Sequence, residues 1–155
     1  MKFKIFLNSI LENIQIVTAL TPSGKLVLDH TIVFTLDGSK YQILDDHYPD
    51  PSIWLITEEP IIVGDFYDAT SFSLEKAIPE FLSLPSRITS IDEFEDEFED
   101  GCQFVGCEFL LESGGFSILT SPEDIFLEKP GAVWNWCQEW DIPSNGKLIV
   151  TNTSL

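Results

Sequence analysis

The chain has 155 residues, 44% of them hydrophobic, with 26 Asp and Glu against 8 Lys and Arg, a formal net charge of −18 and a pI near 4.1. That length fits one domain with a sizeable core, and twelve Phe and four Trp exclude a solvated acidic tail. The charge excludes unassisted binding to nucleic-acid phosphates or to anionic membrane surfaces, because too few cations are present to release counterions.

Lys2 and Lys4, followed by Ile5, Phe6 and Leu7, resemble the start of a signal peptide. Asn8, Ser9, Glu12 and Asn13 interrupt the apolar run before an h-region forms, so export by this route is not expected. Nothing approaches the ~20 apolar residues of a membrane-spanning helix. No sequence repeat, low-complexity linker or Pro/Gly-rich hinge divides the chain, which reads as one acidic domain over residues 1–155.

The first half reads as strand. In residues 25–36, Leu26, Leu28, Ile32, Phe34 and Leu36 alternate on one face, interrupted by His30. His30 reads as a hydrogen-bonded core or edge histidine. Asp37-Gly38, followed by Tyr41, Ile43 and Leu44, signals a hairpin, since a type I′ turn needs positive φ at both central residues. Residues 53–57 and 61–66 are short, continuously apolar runs and read as interior strands.

Helices are expected next. Leu74, Ala77, Ile78, Phe81 and Leu82 lie at helical spacing, with Pro79 kinking the segment or delaying its start. Ser90-Ile91-Asp92-Glu93 has the form of a capping box. Ile91, Phe94 and Phe98 follow at i, i+3 and i+7, and Gly101 stands where a C-terminal cap belongs, predicting a helix over 91–99. Residues 102–111 and 116–120 form a hairpin around Ser113-Gly114-Gly115. Ser121-Pro122-Glu123-Asp124 is a helix start, a further helix follows Pro130, and Asn145-Gly146 leads into a last strand at 147–151. The expected class is α+β: a single domain, mainly antiparallel sheet with three or four short helices packed on it.

Asp92, Glu93, Glu95, Asp96, Glu97, Glu99 and Asp100 place seven carboxylates in nine residues around Phe94 and Phe98. On a helix they form a dense negative face. Those near its C-terminus oppose the macrodipole at ~0.3–1 kcal/mol each. Like charges at i,i+4 add roughly 0.2–0.5 kcal/mol of repulsion per pair. The wider distribution is just as lopsided. Eight carboxylates lie between Lys40 and Lys76 and twelve between Arg87 and Lys129, with no base in either segment. A surface built only for solubility intersperses the signs, whereas one built for electrostatic steering does not.

Metals fit poorly. A calcium loop starting at Glu95 fails at its sixth position, Asp100, and at its twelfth, Gly106. Asp45, Asp46 and Asp50 near His47 read as a turn. Cys102, Cys107 and Cys137 lack a zinc knuckle. Cys102 and Cys107, five apart on a strand, point to opposite faces and cannot pair, so the odd cysteine count suggests a reducing cytoplasm. No nucleophile elbow, Cys–His pair, P-loop or dinucleotide fingerprint is present, and no cofactor is expected. Val133, Trp136, Cys137 and Trp140 form a core stripe at helical spacing. Trp134 lies at its margin, as a candidate exposed interface anchor.

Two function classes follow. The first is a cytoplasmic binding module that neutralises a basic protein partner through Asp92, Glu93, Glu95, Asp96, Glu97, Glu99, Asp100 and Trp134. By analogy of charge and size, that partner is a toxin or nuclease, as for immunity proteins and DNA-mimic inhibitors. The second is a small acidic enzyme or small-molecule-binding domain whose carboxylates serve only solubility.

Overall fold

The computed structural model describes residues 2–44, 52–56, 71–99, 101–121, 124–139 and 147–155. After a 3-10 turn at Phe3–Phe6 come β1 (Ile10–Thr21), β2 (Gly24–Leu36), β3 (Ser39–Leu44), β4 (Ser52–Ile56), β5 (Ser71–Lys76), β6 (Ser86–Phe98), β7 (Gly101–Leu111), β8 (Gly114–Ser121) and β9 (Asp124–Glu128). Helix α1 (Ala132–Glu139) and β10 (Lys147–Ser154) complete the described chain.

The expected α+β class is overturned. Antiparallel strand dominates, and among the described residues a single helix reaches seven residues. The segment expected to be a helix at 91–99 is the long strand β6, and the helical spacing at 74–82 gives β5 followed by irregular chain. The helix expected from Ser121 is replaced over 124–128 by β9, with Pro122 and Glu123 outside the described residues. The reason lies in the period. Ile91 belongs to the main core and Phe94 to a cluster on the opposite face, a separation that residues three apart have on a strand but not on a helix. Gly101, at φ +151°, opens β7 instead of capping a helix. The helix after Pro130 is α1.

The strand order is β4-β3-β2-β1-β6-β7-β8-β9, antiparallel throughout, with β5 added to β1 and β10 to β6. The sheet therefore consists of two topologically equivalent halves. In each, a four-stranded meander is followed by a fifth strand that returns to pair with the first. A shift of 77 residues carries Leu11 to Ile88 and Ile14 to Ile91. Each half has a bulge just after the first of these residues, and Ile14 pairs with Phe34 as Ile91 pairs with Phe109. The next strand repeats the match, Phe34 facing Tyr41 and Phe109 facing Phe116. The turns correspond too: Gly24 and Gly101, 77 apart, both have positive φ. The halves join where Ile10 pairs with Arg87, its own counterpart, which puts an approximate two-fold axis at the junction. Around that axis Asp37 N–H donates to Ile10 O at 3.1 Å and Glu112 N–H to Arg87 O at 3.0 Å.

The inner faces of the halves enclose one core. Phe34 on β2 meets Phe116 on β8 at 5.8 Å between ring centroids, although four strand spacings of ~4.8 Å separate them along the sheet, so the sheet folds back on itself. The N-terminal apolar run closes this core. Phe3 and Phe6 are fully buried, with rings against Phe104, Phe109, Phe34 and Tyr41.

Asp37-Gly38 makes the expected turn, with φ of +48° and +80°. The single apolar face expected for residues 25–36 is split. The pairing with β1 jumps from Ile32 to Leu28, looping out Asp29, His30 and Thr31. Leu28 therefore joins an outer cluster with Val17, Ala19 and Val33, while Ile32, Phe34 and Leu36 line the core. His30 itself is buried. Residues 52–56 do form a strand, but it pairs only with β3 among the described residues and ends the strand order, so it is not an interior one. The runs at 45–51 and 61–66 lie outside the described residues.

Candidate functional site

The acidic run is a strand, so its carboxylates alternate instead of forming one face. The unbroken register with β10 fixes the pattern: Asp92, Phe94 and Asp96 oppose Asn152, Val150 and Leu148, and Glu93, Glu95 and Glu97 oppose Thr151, Ile149 and Lys147. The first set shares the outer face with α1 and the second the face of the inner core. Glu97 and Glu99 are exposed, Asp92 and Glu95 half-buried, and Asp100 lies outside the described residues. The expectation that every carboxylate of the run faces solvent is corrected at two positions, Glu93 and Asp96, which are 2% and 5% exposed.

Glu93 ties down the N-terminal turn. Its Oε1 accepts the backbone N–H groups of Lys2 at 2.7 Å and Phe3 at 3.0 Å, while Oε2 is buried and has no hydrogen-bond partner among the described residues. Burial pushes its pKa upward, against the lowering effect of those two bonds. Across the strand pair lies Cys107, whose fully buried thiol is pushed well up by desolvation and by the Glu93 and Glu108 carboxylates. Glu93 thus holds structure together and is not part of an open surface.

Asp96 is different. It lies two residues beyond Phe94 on the outer face, its Oδ1 has no hydrogen-bond partner, and it makes no ion pair among the described residues. Burial raises its pKa. Its carboxylate in turn adds to burial in raising that of Cys137 on α1.

Helix α1 is seated by two features of the second half. Gly106 leaves a flat spot on β7: an added Cβ would lie 2.4 Å from Ile118 O on β8, which only glycine allows, and 3.2 Å from Val133 Cγ2 of the helix above it. Glu108 Oε1 accepts the Gly131 N–H at 3.0 Å and the Ser117 hydroxyl at 3.2 Å, fixing the turn into the helix. Val133 and Cys137 then bury against Phe94 and Val105, and Trp134 lies edge-on to Phe94, centroids 4.9 Å apart. Trp134 remains 44% exposed, and Val150, across from Phe94, 38%. Trp136 is half-buried and Trp140 lies outside the described residues.

The structure therefore brings Trp134, Asp92 and Asp96 to one face, sends Glu95 and Glu97 to the other, and leaves Glu99 in the turn. Val150 and Leu148 complete the outer patch. The sequence carried a usable sign of it, the alternation Leu148, Val150 in a terminal strand. Asp92 Oδ1 accepts Asn152 Nδ2 at 2.5 Å.

Among the described residues no cluster of three or more His, Cys, Asp or Glu is arranged to hold a metal ion, and no helix is long and apolar enough to cross a membrane. Cys102 is exposed and Cys107 buried on β7, and no disulfide joins the three cysteines. No family model, curated protein or solved structure matches the chain.

Proposed function

We propose that this protein is a cytoplasmic binding module for a basic protein partner, in a toxin-immunity or nuclease-inhibitor role. The observation that carries the reading is the grouping of charge. Twelve carboxylates without a single base span residues 88–128, and β6, at the centre of the strand order, holds the densest part of them. Surface carboxylates in such a group repel one another and raise the field outside the molecule, which attracts an opposite surface from a distance. The odd cysteine count supports the reducing compartment.

Glu95, Glu97 and Glu99 supply steering and Trp134 the anchor. In stopped-flow mixing with the captured partner, association slows steeply between low and physiological salt, where screening acts over ~8–10 Å. Neutralising the three glutamates lowers mainly the on-rate, and Trp134→Ala raises mainly the off-rate. A partner that is itself acidic, or one bound equally well after the neutralisation, would sink the proposal.

A further inference from the structure

We propose that Asp96 and Trp134 form the receptor for an arginine side chain of the basic partner, an inference that rests on the binding role above. Three observations meet at this place. Asp96 is 95% buried, with an oxygen that nothing among the described residues satisfies, and a buried carboxylate without partners is costly to keep. The scaffold does not require it: the shift of 77 residues that relates the halves puts Ala19 at the same place in the first half, buried in the equivalent outer cluster. The same face is aromatic and apolar: Leu148 pairs with Asp96 on the neighbouring strand, and Phe94, two residues along, pairs with Val150 and meets Trp134 edge-on.

Arginine fits this chemistry better than lysine. A guanidinium is planar, weakly hydrated and always charged. It stacks on an indole and forks toward a carboxylate, while its methylene stem covers apolar surface. An ammonium is a compact, strongly hydrated point charge and loses more hydration on entering a nearly closed site. A second copy of this chain is excluded as occupant by charge, at −18 per chain.

The test uses octa-arginine and octa-lysine as probes, titrated into the full chain by calorimetry and tryptophan fluorescence at low salt and again near physiological salt. The unmodified chain is expected to bind octa-arginine at least ~10-fold more tightly than octa-lysine. Asp96→Asn and Trp134→Ala are each expected to bring that ratio to within ~2-fold, and Trp134→Phe to keep most of it. Circular dichroism checks that each variant folds, and the ratio on the unmodified chain decides even if one does not. If both peptides bind with salt-sensitive but equal affinity, the arginine receptor is overturned and the basic-partner reading stands. If neither binds at low salt, both fall.

Discussion

The two halves of the molecule share a frame and differ in what they place on it. At the frame positions the match is close: Leu11 with Ile88, Ile14 with Ile91, Phe34 with Phe109, Tyr41 with Phe116, Ile43 with Ile118. These side chains line the common core, where packing density punishes change. Away from it the halves part. Ile16 is answered by Glu93, Ala19 by Asp96, and the Val17–Leu28 pair by Phe94–Gly106, a larger residue opposite none at all. That exchange makes the seat on which α1 lies. Residues 86–155 carry 14 acids against 3 bases, and residues 1–85 carry 12 against 5. The first half thus serves as an internal control for Asp96, whose place on the shared frame is filled there by the buried Ala19.

The largest expected effect tests the shared frame. Phe34→Ala and Phe109→Ala remove equivalent rings that touch each other at 6.1 Å, and each is expected to cost about 3–5 kcal/mol in urea unfolding. A loss below ~1 kcal/mol for one of them alone would break the equivalence.

Next comes Gly106→Ala, expected to cost about 1–3 kcal/mol, because the new methyl meets a backbone carbonyl that cannot rotate away. Its signature is local, with Trp134 fluorescence shifting as α1 is lifted. An unchanged spectrum at reduced stability would show that Gly106 does not seat the helix.

Glu93→Gln has the smallest effect and a defined pH dependence. The folded pKa lies above the ordinary 4.5, so the folded chain holds this proton more tightly than the unfolded chain does. The contribution to stability is full below pH 4.5 and is lost as pH rises through the folded value. Gln keeps an oxygen for the Lys2 and Phe3 N–H groups and removes the charge. The variant should gain on the order of 1 kcal/mol at neutral pH and nothing below the window. Thermal unfolding at both ends of the pH range measures this, and a neutral-pH loss would mean that the ionised carboxylate is the better anchor for the N-terminal turn.

Local chemistry made part of this architecture legible. Asp37-Gly38, Ser113-Gly114-Gly115 and the Trp-bearing helix could be read from turn residues and helical spacing. β6 was misread because Ile91, Phe94 and Phe98 satisfy a helical period, whereas on the strand Ile91 and Phe94 face opposite sides. Glu93, placed like the far end of a capping box, does accept backbone N–H groups, but those of Lys2 and Phe3, some ninety residues away. The duplication was hidden by its bulges. The β2 bulge loops out three residues and the β7 bulge only Val105, so the offset drops from 77 at Ile14 and Ile91 to 75 at Phe34 and Phe109, and no fixed period survives. The split of the carboxylates between two faces depended on the same strand assignment and was lost with it.

Backbone amide exchange in the full chain, with and without octa-arginine, separates the halves most directly. The account predicts slowed exchange in residues 92–97, 132–139 and 147–150, and no change at the equivalent surface of the first half, residues 15–20 and 71–76. Equal slowing in both halves, or slowing confined to the first, would contradict a partner surface built by what the second half alone carries.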